Sequence, residues 1–286
     1  MSVPNIPLND GNTIPQLGFG VWQVPDDVAE PAVAKAFEVG YRHIDTAAVY
    51  NNERGVGRAI AKSGLAREEL YITTKLWNAE QGYDSTLAAL DASLQRLGLD
   101  YVDLYLIHWA VPARDDFVAT FKAFQKARED GKVRSIGVSN FHEAHVRRVI
   151  EETGETPSVN QIELHPHLAQ ARLRELHREL GIATESYSPL GIGKSLSEPV
   201  VQKIAEEAGV TPAQALIRWH LQIGNIVIPK SQTPERIASN FDVFGFELTP
   251  AQIDAITGLP EQPRLNPDPD EFNLDDKWPY GDPNSH

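Results

Sequence analysis

Four polar residues at or near the ends of strand-like runs have side chains that could transfer or stabilise a proton. Asp45, Lys75 and His108 each close a short strand-like run, and Tyr50 follows Asp45 by five residues. In a parallel α/β barrel the strand ends meet at one rim, so these side chains would face one another. A phenol is a weak acid at neutral pH, but a nearby cation lowers its pKa. A Tyr beside a Lys therefore predicts a proton donor suited to reducing a carbonyl group.

Each of the four also has an ordinary structural interpretation. Asp45 could cap a helix, and Tyr50 could be an aromatic residue on the rim. Lys75 could be a solvated charge and His108 a hydrogen-bonded core histidine. Their shared position at strand ends favours a functional site over these alternatives.

Strand-like segments alternate with helical ones along the chain. Strands are predicted at residues 17–20, 41–45, 70–75, 102–108, 135–139, 158–161, 183–187 and 226–229. Apolar stripes between them predict helices, for example at 28–39, 85–97 and 117–127, and Thr211-Pro212 is typical of a helix start. This alternation predicts one α/β domain, a (β/α)₈ TIM barrel over residues 1–286.

The alternative fold is a doubly wound open sheet, which lacks its usual sequence signals here. Neither Gly18-Phe19-Gly20 nor Gly55-Val56-Gly57 completes the glycine pattern of dinucleotide-binding turns. Gly193-Lys194-Ser195 would end a phosphate-binding loop only if residue 188 were glycine, and it is serine. The barrel is therefore the favoured fold.

Two segments lie outside the strand–helix repeat. Asn9-Asp10-Gly11-Asn12 is a strong turn signal, which predicts an N-terminal β-hairpin cap within residues 1–16. Residues from about 258 to 286 are rich in proline and acids and are predicted to form a C-terminal tail over the active-site face.

Composition narrows the class of protein. The 40 acidic and 26 basic residues give a formal net charge of −14, which argues against nucleic-acid and anionic-membrane partners. No apolar run could span a bilayer, and the N-terminus lacks the features of a signal peptide. With no cysteine there is no disulfide framework or thiolate metal site. We expect a cytoplasmic protein.

Histidines near one another raise the question of a metal. His165 and His167 are close in sequence, as are His142 and His145. Nothing supplies a third ligand at a known spacing, so no metal is predicted.

Six further motifs, in order along the chain, resemble those of the aldo-keto reductases. They are Gly40-Tyr41-Arg42-His43-Ile44-Asp45-Thr46-Ala47, Thr74-Lys75-Leu76-Trp77, Asp103-Leu104-Tyr105-Leu106-Ile107-His108-Trp109, Ile136-Gly137-Val138-Ser139-Asn140-Phe141, Asn160-Gln161-Ile162-Glu163-Leu164-His165-Pro166 and Ile228-Pro229-Lys230-Ser231. The resemblance covers nearly the whole chain. Within the family it is strongest to the short bacterial 2,5-diketo-D-gluconate reductases.

The resemblance implies that Asp45, Tyr50, Lys75 and His108 form a catalytic tetrad. Tyr50 would give a proton to the carbonyl oxygen, and Lys75 would supply the cation that tunes it. Asp45 would hold Lys75. A neutral His108 would orient the carbonyl oxygen or share in proton donation.

The resemblance also implies NADPH as cofactor. Ser139, Asn140 and Gln161 would bind the nicotinamide carboxamide, and Tyr187 would stack on the ring. The segment that binds the 2′-phosphate and adenine would consist of Lys230, Ser231, Arg236 and Asn240. The residues along the pyrophosphate would be Ser188, Leu190 and Gly191. The remaining cofactor-binding residues would be Gly20, Val21 and Asp45. A Lys and an Arg at a helix start suit a phosphomonoester, although two solvated charges are the alternative.

The predicted substrate wall consists of Trp22, Trp77, His108 and Trp109. Ala110 replaces the proline usual in the family after His-Trp, and Ser239 stands where many relatives carry glutamate. The expected activity is NADPH-dependent reduction of a small dicarbonyl or keto-sugar acid by a monomer. The alternatives are a broad-specificity aldehyde reductase for detoxification and a catalytically silent NADPH-binding sensor.

Overall fold

The computed structural model describes residues 3–273 and contains a sheet of eight parallel strands in sequence order. They are β3 (Phe19–Gly20), β4 (His43–Asp45), β5 (Tyr71–Leu76), β6 (Val102–Ile107), β7 (Val133–Ser139), β8 (Val159–Glu163), β9 (Ala183–Tyr187) and β10 (Ile226–Val227). Parallel bridges from Leu17 to Val227 and from Gly20 to Lys230 join the first strand to the last. The predicted (β/α)₈ barrel is confirmed, with every predicted strand in place.

Helices cover the outside of the barrel. Within the described residues they are α1 (Asp26–Val39), α2 (Glu53–Lys62), α3 (Tyr83–Leu97), α4 (Phe117–Glu129), α5 (Glu143–Thr153), α6 (Ala171–Leu180), α7 (Pro199–Ala208), α8 (Pro212–Gln222), α9 (Pro234–Phe241) and α10 (Pro250–Thr257). The predicted start of α8 is confirmed, because the Thr211 side chain accepts a hydrogen bond from Gln214 N. In residues 3–273, no helix has the length and apolarity needed to cross a membrane.

Strands β5 and β6 are buried on both faces of the sheet. All six residues of β5 and of β6 are buried, because helices cover one face and the barrel interior the other. The stripe Phe117, Phe121 and Phe124 predicted for α4 is buried as well. Phe124 stacks on Tyr105 of β6 with ring centroids 4.4 Å apart, which fastens this helix to the sheet.

The N-terminal hairpin closes the end of the barrel opposite the site. Strand β1 (Asn5–Pro7) pairs antiparallel with β2 (Thr13–Pro15). Ile14 is fully buried in a cluster that includes Leu104 and Val159 of the barrel strands. The connecting turn contains Gly11 with φ +88°, a conformation that favours glycine. The predicted cap is therefore confirmed.

The C-terminal tail crosses the active-site face and is anchored on one buried carboxylate. Glu163 accepts hydrogen bonds from Leu265 N at 2.7 Å, and from Asn266 N and Asn266 Nδ2, both at 2.9 Å. Further along, the Phe272 ring packs on Trp109 with centroids 4.4 Å apart. The predicted position of the tail is confirmed as far as residue 273, and residues 274–286 lie outside the described part of the chain.

We expect Glu163→Ala to lower the free energy of unfolding by roughly 3 kcal/mol, because buried donors lose their acceptor. Burial acts to raise the pKa of Glu163, but hydrogen bonds from His165, Leu265 and Asn266 hold it below the usual 4.5. This contribution is therefore complete above pH 4.5 and lost as the pH falls through the lowered pKa. Urea unfolding at pH 7 and pH 4 measures both effects.

The matched control is Glu175→Ala, since that exposed carboxylate pairs with the exposed Arg178 on the same helix. It should change stability by less than about 0.5 kcal/mol. Equal effects of the two substitutions would show that Glu163 does not anchor the tail.

Candidate active site

A cavity of about 560 Å³ opens at the carboxyl ends of the barrel strands. Most of the residues predicted from the sequence lie on its wall. They are Gly20, Trp22, Asp45, Tyr50, His108, Trp109, Ser139, Asn140, Gln161, Tyr187, Ser188, Leu190, Lys230, Ser231, Arg236 and Asn240. Residues at the ends of seven of the eight strands, all but β5, thus converge on one space, as the barrel geometry predicts.

The floor of the cavity is built on a buried ion pair. Lys75 Nζ donates to Asp45 Oδ1 at 2.6 Å and to the Thr46 carbonyl oxygen at 2.9 Å. Both charged side chains are almost completely buried. Gln161 Nε2 donates to the other Asp45 oxygen at 2.8 Å, so the carboxylate is satisfied on both sides. Such an arrangement repays part of the cost of burying two charges.

Tyr50 and His108 stand side by side above this pair. Their rings meet edge to face with centroids 5.7 Å apart, and Lys75 Nζ lies 5.1 Å from the centre of the Tyr50 ring. Burial and the charge of Lys75 lower the pKa of His108 well below its usual 6.5. The imidazole is therefore neutral at pH 7, as the resemblance implied, and can donate a hydrogen bond without carrying charge.

The expected lowering of the Tyr50 pKa is wrong for this structure. Burial raises the pKa of Tyr50 well above 10, and the negative charges of Asp45 and Glu185 raise it further. The main physical reason is desolvation, because a buried site disfavours the charged phenolate. Tyr50 consequently keeps its proton at neutral pH.

The four residues expected at the nicotinamide are linked by hydrogen bonds to one another and to the backbone of the site. Tyr187 Oη donates to Asn140 Oδ1 at 2.7 Å, and Asn140 Nδ2 donates to the His108 carbonyl oxygen at 3.0 Å. Asn140 has φ +58°, a left-handed conformation that asparagine tolerates. Ser139 Oγ donates to the carbonyl oxygen of Gln161 at 2.9 Å. The polar wall is therefore preformed.

Two cations lie together on another part of the wall. Lys230 follows β10, and Arg236 lies in the first turns of α9. Burial and the neighbouring Arg236 lower the pKa of Lys230. Neither forms an ion pair with any residue between 3 and 273. Their mutual repulsion would be relieved by an anion bound between them.

Four of the predicted residues are not on the cavity wall. Lys75 lies behind Asp45, and Gly191 packs against Ser195. Val21 supports the site from below, since its backbone N donates to the Asp45 carbonyl oxygen at 3.1 Å. Trp77 meets His108 edge to face with ring centroids 5.4 Å apart, and it is not among the residues that line the cavity.

Sequence reasoning missed several residues of the wall. Gln23, Pro189, Ile192, Gly193, Leu196, Thr211, Pro212, Ala213, Ile228, Pro229, Ser239 and Asn266 also line it. The helix start at Thr211-Pro212 was visible in the sequence, but its position at the cavity was not. Asn266 reaches the wall because Glu163 accepts hydrogen bonds from this part of the tail. No local sequence pattern predicts this long-range contact.

The two paired histidines of α5 meet the tail. His142 Nδ1 lies 2.9 Å from Asp270 Oδ1, and His145 Nε2 lies 3.6 Å from the same oxygen. Asp268 is also close: His142, Asp268 and Asp270 each bring one potential ligand atom within 4.8 Å of the others, and both aspartates are exposed. The two aspartates come from the tail, more than 120 residues away in sequence from His142. Arg264 Nη2 donates to His142 Nε2 at 2.9 Å. These contacts tie the tail to the start of α5.

Comparison with known proteins agrees with the geometry. Residues 16–261 match the model of the aldo/keto reductase family. The chain belongs to the aldo/keto reductase family. An aldo-keto reductase of Mycolicibacterium smegmatis is 63% identical over 271 residues, which cover 95% of this chain and 98% of the relative.

Solved structures of family members share the fold. The crystal structure of an aldo/keto reductase from Brucella melitensis has a TM-score of 0.88 and 57% identity, covering 90% of this chain and 98% of that one. A mutant of Gox0644 crystallised in complex with NADPH has a TM-score of 0.92 and 47% identity, covering 96% and 100%. Membership of the family implies that this protein is an oxidoreductase that acts on carbonyl groups.

We expect Lys75→Met to lower the free energy of unfolding by about 3 kcal/mol, because it leaves the Asp45 carboxylate buried without its cation. The double variant Asp45→Asn/Lys75→Met should recover most of that loss, since no buried charge remains. Guanidinium unfolding of the three proteins measures the difference. Lys126→Met, which breaks only the exposed pair with Asp130, is the control. A double variant no more stable than Lys75→Met would contradict this account.

Proposed function

We propose that the protein is an NADPH-dependent carbonyl reductase in which Tyr50 is the proton donor. The observation that carries this proposal is the meeting of Tyr50, neutral His108 and the buried Asp45–Lys75 pair at one cavity. A protonated phenol beside a neutral imidazole is a suitable arrangement for holding a carbonyl oxygen and protonating it.

The residues of the wall fit NADPH. Lys230 and Arg236, which form no ion pair with the described residues 3–273, make a cationic site of the kind that a 2′-phosphate would fill, which favours NADPH over NADH. Ser139, Asn140 and Gln161 offer the polar edge that a carboxamide needs. The NADPH complex of the related Gox0644 mutant supports the same cofactor. When bound, NADPH supplies hydride to the substrate carbon.

The chain's own residues handle the proton. His108 would donate a hydrogen bond to the carbonyl oxygen and orient it towards Tyr50. As negative charge develops on that oxygen, it becomes more basic than a phenolate, so Tyr50 can protonate it despite its raised pKa. The phenolate that remains lies near Lys75, whose ion pair with Asp45 would partly stabilise it.

The substrate class follows from the cavity near Tyr50. Trp22 and Trp109 are aromatic walls, and Asn266 adds an amide from the tail. Among the described wall residues, the positive charges are on Lys230 and Arg236, and the 2′-phosphate of the cofactor would bind to both. We therefore favour a small, uncharged dicarbonyl over a keto-sugar acid such as 2,5-diketo-D-gluconate, which would need a further cation.

The decisive experiment follows NADPH absorbance with a simple dicarbonyl. We expect the native protein to turn over, and Tyr50→Phe to lose about 10²–10⁴-fold in kcat with NADPH affinity retained, because only the proton donor is removed. Tyr101→Phe, whose hydroxyl accepts from Arg134 outside the cavity, is the matched control. Tight NADPH binding without turnover of any carbonyl in a panel would favour the silent-sensor alternative.

Cofactor choice tests the cationic site. We expect Lys230→Met to weaken NADPH binding by about 10- to 100-fold and to leave NADH binding unchanged, since only NADPH carries the 2′-phosphate. Lys203→Met, on the exposed face of α7, should change neither. Titrations of intrinsic fluorescence give both dissociation constants, and equal losses for the two cofactors would contradict the assignment.

A further inference from the structure

A second buried carboxyl lies beneath the Asp45–Lys75 pair and has no part in the proposed chemistry. Glu185, on β9, is completely buried inside the barrel. Its Oε2 accepts from Gln161 Nε2 at 2.9 Å. Its Oε1 has no hydrogen-bond partner within residues 3–273 and lies 3.7 Å from His43 Nε2. A half-satisfied buried acid costs stability, so its presence calls for a functional explanation.

Glu185 is the second of two carboxyl groups that accept hydrogen bonds from the Gln161 side-chain amide. One N–H of Gln161 Nε2 is donated to Asp45 Oδ2 at 2.8 Å and the other to Glu185 Oε2. Because an amide nitrogen has only two N–H groups, both are used, and the amide oxygen must face another direction. The reverse orientation would place that oxygen against the Asp45 carboxylate, which is repulsive. Gln161 lines the cavity, whereas Glu185 does not.

We propose that Glu185 is a positioning residue that holds the Gln161 amide with its carbonyl oxygen available to the carboxamide of a nicotinamide cofactor. This inference rests on the proposed function, since it requires NADPH to bind at this wall. Glu185 acts only through Gln161 and touches neither cofactor nor substrate.

The charge of Glu185 supplies a readout that a purely structural role would lack. Burial, reinforced by the charge of Asp45, raises the pKa of Glu185 to about 8. The side chain is therefore mainly neutral at pH 7 and ionises above pH 8. An ionised Glu185 beneath the site favours the positively charged ring of NADP⁺ over the neutral ring of NADPH.

Other titratable groups also surround Glu185. On β4, burial lowers the pKa of His43 to about 3. Burial raises the pKa of Asp45, against the lowering effects of Lys75 on β5 and of the Gln161 hydrogen bond, so the Glu185→Gln variant is needed to separate the titration of Glu185 from that of Asp45. Burial raises the pKa values of Tyr71, on β5, and of Tyr50 well above 10.

The test measures NADPH and NADP⁺ dissociation constants between about pH 6.5 and pH 9.5 for the native protein, Glu185→Gln and Glu185→Leu. The ratio of the two constants cancels pH effects at Lys230 and Arg236, because both cofactors carry the same phosphates. In the native protein we expect the NADPH dissociation constant, divided by the NADP⁺ dissociation constant, to rise by about threefold or more as the pH increases through 8. Glu185→Gln should keep NADPH affinity at pH 7 within about twofold and abolish this movement, because an amide preserves the acceptor without ionising.

Glu185→Leu should weaken NADPH binding about five- to tenfold, since Gln161 loses one anchor. Thr184→Val is the matched control, because Thr184 lies on the same strand and faces His177 outside the barrel. Native-like binding by Glu185→Leu, or a persisting pH shift in Glu185→Gln, would overturn the inference alone. Failure of the native protein to bind either cofactor would overturn the proposed function and this inference with it.

Discussion

The ion pair between Asp45 and Lys75 is the interaction on which the site depends. Two opposite charges removed from water are stable only with close geometry and with their remaining hydrogen bonds made. The 2.6 Å contact, the Thr46 carbonyl oxygen and the Gln161 amide meet that condition. These contacts link β4, β5 and β8, so a slip of one residue in any of these strands would break the pair.

Three buried carboxylates show how the environment assigns different roles to one functional group. Asp45 is held by a cation, and Glu163 by donors from His165 and the tail. Glu185 receives one N–H and faces the negative Asp45, so burial prevails and raises its pKa to about 8. The first therefore carries the ion pair of the site, the second anchors a segment of chain, and the third remains neutral at pH 7.

The site is closed by parts of the chain that are distant in sequence. Glu163 is at the end of β8, yet it holds the tail at Asn266, about 100 residues later. The tail then brings Phe272 onto Trp109 beside the cavity. Ordering an irregular segment costs conformational entropy, and the buried hydrogen bonds to Glu163 offset it together with the contacts of His142 and Trp109 to the tail.

The sequence by itself determined the barrel and most of the cavity wall. Strand-end residues such as Asp45, His108 and Gln161 are readable because strand periodicity and local motifs place them within short segments. Parallel strands then carry such residues to a common rim whatever the loops do.

Only the tertiary structure decided how the groups interact. The raised pKa of Tyr50 depends on burial and on the nearby charges of Asp45 and Glu185, and a local sequence pattern encodes neither. Trp77 lies edge to face with His108, Asn266 reaches the wall, and Glu185 accepts a hydrogen bond from Gln161. Each of these is a contact between residues at least 24 positions apart in sequence, and its energy depends on distance and desolvation, which exist only once the barrel has closed.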